Sequence, residues 1–197
     1  MIIPSGILIF LFIQVQQRDI LGDNKPKLNI LILGDDSVGK TSLVYRHINK
    51  EYSGECQTTF GADLFTKEFI LDDTLVSLQI WDTTGHDEFK CMGMSFYEAA
   101  HGCILVFDVT SRKSFENLKL WWDGFFMTNK KNPNEFPVAV VGNKIDLENE
   151  RKVSKQEAQD WCNSLSIPYF ECSSKDDINV QQVFEALTAK LVDTHKL

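Results

Sequence analysis

Leu28-Asn29-Ile30-Leu31-Ile32-Leu33-Gly34-Asp35-Asp36-Ser37-Val38-Gly39-Lys40-Thr41 decides the fold. Its first six residues form the near-continuous apolar run expected of a strand covered on both faces. The next eight fit G-x-x-x-x-G-K-[ST]. Gly34 and Gly39 let a backbone wrap close to phosphates, and the amides between them, those of Asp36, Ser37 and Val38 included, point inward at the anion. Lys40 is placed to reach the β- and γ-phosphates, and the Thr41 hydroxyl to ligate Mg²⁺. A helix expected over Lys40–Asn49 adds the positive end of its dipole, with Ser42 in its first turn.

Working outward, short apolar runs alternate with longer amphipathic ones. Strands are expected at 28–33, at 63–71 and 75–81 (a hairpin around Asp72-Asp73), at Gly102–Asp108, at Val138–Asn143 and at Tyr169–Glu171. Helical periodicity runs through 111–129 by way of Phe115, Leu118 and Trp122. Ser154 heads SKQE, a capping box opening a helix to about Ser164, and a final helix starts near Val180. This alternation predicts an α/β protein, a mostly parallel six-stranded sheet with helices on both faces. Such sheets bind ligands at the carboxyl ends of their strands.

Composition narrows the classes. The 197 residues suffice for one domain, and 43% hydrophobic with 24% charged residues excludes disorder. Twenty Lys and Arg against twenty-eight Asp and Glu leave a net charge of −8, so no nucleic-acid partner is expected. The five cysteines, Cys56, Cys91, Cys103, Cys162 and Cys172, are scattered and lack CxxC spacing; a reducing, cytoplasmic setting is expected instead of a disulfide framework. No apolar run reaches the length of a membrane span. Residues 1–26 read as an N-terminal extension outside the core. Its apolar run at 7–13 lacks a basic n-region, so export is not expected.

Three further motifs follow strands. In Trp81-Asp82-Thr83-Thr84-Gly85, a strand-end Asp can hold a metal-bound water, and Gly85 can offer its amide to a terminal phosphate. In Asn143-Lys144-Ile145-Asp146, a carboxylate can accept from guanine N1 and the 2-amino group, a pattern adenine lacks, while the Lys144 stem can lie over the purine. Glu171-Cys172-Ser173-Ser174-Lys175 can meet the base oxygen with backbone amides.

In that order, GDDSVGKT, WDTTG, NKID and ECSSK resemble the small GTPases of the Ras superfamily. TTFGADLFTKEF, LQIWDTTG and FYEAAHGCILVFDVTS resemble the Rab branch, and VVGNKIDLENERKVSKQEAQDWC with IPYFECSSKDDINVQQVFEAL its late-endosomal subgroup. The resemblance covers about 27–191 and implies a P-loop NTPase-type three-layer fold, with 27–197 as the G domain. It implies GTP and GDP with Mg²⁺ as ligands, and hydrolysis of GTP by water, with Thr59, Lys40 and the residue after Gly85 as catalytic groups. It assigns Gly34 to Thr41 to the phosphates, Thr59 to Mg²⁺ and the γ-phosphate, and Tyr52 to the base. Asp82, through water, and Gly85 match switch II. Asn143, Lys144, Asp146, Ser173, Ser174 and Lys175 match the guanine pocket. Effectors, an exchange factor and an activating protein are expected at Phe60, Leu64, Trp81 and Phe96, with the chain itself a monomer. Vesicle trafficking at endosomal or lysosomal membranes is the implied role.

Four positions depart from the pattern. His86 stands where the family usually has Gln to orient the attacking water, and imidazole is planar with a charge that changes near neutral pH. Asp36 stands where Rabs commonly carry Ser, which puts negative charge near the γ-phosphate. Both predict slowed intrinsic hydrolysis, and at the limit a hydrolysis-poor, constitutively nucleotide-bound effector platform. Asp35 is unexceptional, since Rab loops often carry an acid there. Leu64 replaces an aromatic of the effector-reading triad. The last cysteine, Cys172, lies inside a nucleotide motif, so C-terminal prenylation is not expected of the residues given.

Overall fold

The computed structural model describes residues 25–52, 54, 59, 61–71, 74–85 and 94–195. In chain order they form β1 (Lys27–Leu33), α1 (Lys40–Asn49), β2 (Ala62–Leu71), β3 (Thr74–Thr83), α2 (Met94–Ala99), β4 (Gly102–Asp108), α3 (Arg112–Glu116), α4 (Leu118–Asn129), β5 (Val138–Asn143), a 3₁₀ turn (Ile145–Glu150), α5 (Lys155–Ser164), β6 (Tyr169–Glu171) and α6 (Val180–His195). The strands make one sheet in the order β2-β3-β1-β4-β5-β6. The β2–β3 pair is antiparallel, in register from Ala62↔Thr83 to Leu71↔Thr74; all other pairs are parallel.

Alternation within the apolar runs builds two cores. On one face Ile30 and Ile32 of β1, Ile104 and Val106 of β4 and Ala139 and Val141 of β5 pack under Leu43 and Val44 of α1 and Val183, Phe184 and Leu187 of α6. On the other, Leu31, Leu33, Leu105, Phe107, Val138 and Val140 pack under Tyr97 of α2, Trp121 and Phe125 of α4, and Ala158 and Cys162 of α5. Each large side chain so buried contributes roughly 1.5–3 kcal/mol relative to exposure. With both faces covered, β4 and β5 are buried along their whole length, as their unbroken apolar sequence predicts.

The helix expected through 111–129 is two helices meeting at Asn117. Ser111 caps α3 by accepting from the Ser114 amide, and Asn117 sends its side chain across to the loop after β1. Asn117 itself keeps helical dihedrals (φ −72°, ψ −13°), so the interruption is local and the periodic pattern runs through it. The short α2 and the 3₁₀ turn carry too few residues for periodicity to announce them; Met94, read as switch II surface, opens α2. Ser154 caps α5 as expected, accepting from the Glu157 amide at 3.2 Å. The hairpin turn at 72–73, Phe60, His86, Met92 and the N-terminal extension up to residue 24 lie outside the described residues.

Candidate nucleotide-binding site

The loop after β1 owes its path to its glycines. Gly34 has φ +146° and Gly39 φ +92°. A Cβ on Gly34 would collide with the Val106 carbonyl oxygen, and one on Gly39 with the Asn143 amide nitrogen. Gly39 also stands at the N-cap of α1, where no side chain caps the helix. The amides at that end are therefore presented to an anion instead of to a capping residue.

Lys40 is buried, and its ammonium donates to the Gly34 carbonyl at 2.9 Å and the Asp35 carbonyl at 2.8 Å. Burial lowers its pKa to about 8, opposed by the nearby charges of Asp82, Asp36 and Asp35. A phosphate brought against it reverses the desolvation penalty by supplying the missing counter-charge.

Beside Lys40 the Thr41 hydroxyl donates to Asp82 Oδ2 at 2.5 Å, and the Thr41 and Thr59 hydroxyls stand 3.0 Å apart. Asp82 is fully buried at the end of β3, and among the described residues its Oδ1 has no hydrogen-bond partner. Burial pushes the carboxyl up to about 6, with the Thr41 hydrogen bond pulling the other way. An oxygen-only donor set with one orphaned buried carboxylate atom fits a hard divalent cation. Among the described residues no cluster of three or more His, Cys, Asp and Glu could cage a metal. Mg²⁺ binds through one or two protein oxygens together with phosphates and water, a role the Thr41, Thr59 and Asp82 oxygens fit.

Two cavities meet here. One of about 270 Å³ is lined by Asp36, Ser37, Lys40, Thr41, Thr59 and Gly85 among others, and a second of about 310 Å³ by Asn143, Asp146, Leu147, Ser174 and Lys175. Gly39, Ser42, Tyr52 and Lys144 line both. The backbone of Gly85 lies so close to the 35–36 peptide that a Cβ there would strike it.

Around the second cavity the loops after β5 and β6 are tied to the first. Asn143 Nδ2 donates to the Val38 carbonyl at 3.0 Å, and its Oδ1 accepts from the Ser174 amide and hydroxyl. The Ser173 hydroxyl donates to Asp146 Oδ1 at 2.6 Å. The Lys144 ammonium donates to the Ser37 carbonyl and pairs with Asp108 Oδ2, both at 2.7 Å, which leaves its stem as the wall shared by the two cavities.

The structure brings together those expected residues that it describes, with distinctions; His86 is not among them. Gly34, Val38, Asp82 and Ser173 line neither of the two cavities; they act from behind the wall, through backbone carbonyls or hydrogen bonds. Sequence reasoning missed Gly54, Thr83, Thr84 and Leu147 in the lining. It also missed Arg46, whose guanidinium donates to the carbonyls of Ser174 and Lys175 and lies 5.9 Å from the Tyr52 ring centroid. No local pattern reveals a contact spanning 128 residues. Trp81 faces Leu64 across the β2–β3 ladder and packs on Phe96 with ring centroids 4.8 Å apart, so these three form one half-buried patch. Cys103, Cys162 and Cys172 are free and buried, and burial raises each thiol pKa.

A cleft that offers amides and an ammonium at one end, polar loops at the other, and an oxygen cluster beside the first is the working part of a P-loop nucleotide-binding protein. Comparison with known proteins narrows the class. A profile of the Ras family matches residues 29–193. The Ras-related protein Rab-7a of Dictyostelium discoideum is 46% identical over 170 residues, 85% of this chain and 84% of the relative. The Ras-related protein Rab7 of Drosophila melanogaster is 45% identical over 174 residues, 87% and 84% of the two chains. The Ypt/Rab-type GTPase ypt7 of Schizosaccharomyces pombe is 44% identical over 173 residues, 86% and 84%. The chain belongs to the Ras family, within its Rab branch and alongside the Rab7-like members: a GTPase that uses GTP and GDP with Mg²⁺. No described helix is long and apolar enough to cross a membrane.

Proposed function

We propose that the protein is a Rab7-like switch for endosomal membrane traffic, holding guanine nucleotide in the two joined cavities with residues 27–197 as its G domain. The observation that carries this reading is their continuity: one wall, from Gly39 to Lys144, serves an anion-binding end and an end lined by Asn143, Asp146 and the loop after β6. Lys40 and the amides of residues 36–39 take the phosphates, together with Thr41 and Ser42. Asp146 accepts from the guanine edge, Lys144 and Tyr52 flank the ring, and Ser174 and Lys175 close the far side. Mg²⁺, when bound, would supply charge neutralisation to the phosphates. Thr41, Thr59 and Asp82, the last through water, orient it, and Gly85 holds the terminal phosphate. Loss of that phosphate releases the Thr59 and Gly85 segments, which is what effectors, exchange factor and activating protein read through Phe60, Leu64, Trp81 and Phe96.

Asp36 and His86 slow hydrolysis in this reading. Asp36 is exposed, accepts from the Ser37 hydroxyl at 3.3 Å and lines the phosphate cavity, which adds negative charge where charge develops in the transition state.

Base recognition is tested by Asp146→Asn. Replacing an acceptor-only carboxylate by an amide presents a donor to the guanine edge, and a site built around such a hydrogen bond discriminates strongly. GDP affinity should fall by about a hundredfold or more while xanthosine diphosphate affinity rises, read by competition against a labelled nucleotide. Unchanged GDP affinity contradicts the assignment.

A further inference from the structure

The Asp35 side chain is given no role above, yet it is held by two donors from outside its loop. Its carboxylate accepts from Asn117 Nδ2 at 2.7 Å and from Trp121 Nε1 at 2.8 Å, across 82 and 86 residues of chain. Its carbonyl accepts from the Lys40 ammonium at 2.8 Å. The peptide that follows it touches the Gly85 backbone. Its neighbour Asp36 is exposed and accepts from the Ser37 hydroxyl of its own loop at 3.3 Å. The helical run from 111 to 129 is broken at Asn117, one of the two residues that grip Asp35. Trp121, the other, is buried in the core beneath α4.

We propose that Asp35 is a positioning residue for nucleotide binding: through Asn117 and Trp121 it anchors the phosphate loop to the start of α4 and so aims the carbonyl that holds Lys40. Two bonds to one carboxylate fix the side-chain torsions of Asp35, and these fix the plane of a peptide with Lys40 on one side and Gly85 on the other. An unanchored loop leaves the Lys40 ammonium and the Asp36 amide free to wander by the fraction of an ångström that phosphate contacts do not tolerate. The inference rests on the guanine-nucleotide reading of the site.

Asp35→Asn keeps the shape but turns an amide nitrogen toward one of two donors. The double variant Asp35→Asn/Asn117→Asp reverses that hydrogen bond: the new amide donates to the new carboxylate at 117, and its oxygen still accepts from Trp121. Both variants, with wild type and Trp121→Phe, are loaded with N-methylanthraniloyl-GDP in excess Mg²⁺, and release is followed by fluorescence. The ¹⁵N indole resonance of Trp121, assigned by its loss in Trp121→Phe, reports the anchor without nucleotide. Asp35→Asn is expected to release the label about tenfold faster, the effect of losing one hydrogen bond to a charged group, and to shift the indole resonance upfield. Trp121→Phe should accelerate release about threefold, and the double variant should return both readouts toward wild type. Should Asp35→Asn fail to fold, the Trp121→Phe rate carries the test. Wild-type release rates in the variants, or a recovered indole resonance without a recovered rate, overturn the inference. A wild type that takes up no labelled GDP while its indole resonance stands downfield sinks the nucleotide reading instead.

Discussion

Adjacent carboxylates in the phosphate loop serve opposite ends. Asp35 is drawn inward by Asn117 and Trp121, whereas Asp36 stays exposed at the mouth of the phosphate cavity. Sequence separates these two residues only by analogy with relatives, because nothing local says which of two neighbouring acids will find donors more than 80 positions away. The exposed position of Asp36 motivates the proposed effect on hydrolysis. A carboxylate beside the γ-phosphate opposes the charge that builds up on transfer, and His86 replaces the amide that usually orients water. In single-turnover hydrolysis with Mg²⁺, Asp36→Ser and His86→Gln should each raise the rate several-fold, and the pair together by about tenfold or more. Rates equal to wild type in all three variants remove the proposal of slowed hydrolysis and leave an ordinary Rab-type turnover.

At the scale of elements, α1 does two jobs. Its N-terminus presents Lys40 and Thr41 to the cleft, and its C-terminal half locks against α6 and β2 through His47. That imidazole is 3% exposed and stacks on Phe184 with ring centroids 3.9 Å apart; Lys67 Nζ lies 3.2 Å from its Nε2. An ammonium can only donate, so Nε2 accepts and the ring is neutral. Burial lowers the His47 pKa to about 3, helped by the charges of Lys67 and Lys50. The unfolded chain takes up this proton near pH 6.5 and the folded one does not. The contribution is therefore full above 6.5 and is lost as pH falls toward 3, about 2 kcal/mol by pH 5. Between pH 7 and pH 5 the wild-type melting temperature should drop about 4–8 °C more than that of His47→Phe, which keeps the stack and removes the titration. Equal slopes contradict the account.

The boundaries of β4 and β5 were legible because each is a near-continuous apolar run, and that of α1 because it opens directly on the second glycine of its loop. The interruption within 111–129 was not, because Asn117 keeps helical dihedrals and backbone bonds to Lys113 and Trp121 there, while its side-chain bond to Asp35 spans 82 residues that no local pattern announces. Arg46 and Asp108 were likewise silent: each matters through tertiary partners, Ser174 and Lys175 for the first and Lys144 for the second.

Across the whole molecule, the sheet order places the carboxyl ends of β1, β3, β4, β5 and β6 together. The loops they launch meet in one cleft although their sequences span residues 34 to 175. The two ends are also fastened to one another, Asn143 to Val38, Lys144 to Ser37 and Arg46 of α1 to Ser174, which ties the phosphate end to the base end. Isothermal titration of nucleotide-stripped, folded full-length chain with GDP and with GTP, in the presence of Mg²⁺, asks whether that cleft does what its geometry implies. The account predicts a single saturable site for each guanine nucleotide and none for ATP at the same concentrations; absence of heat from both guanine nucleotides, or equal uptake of ATP, contradicts it.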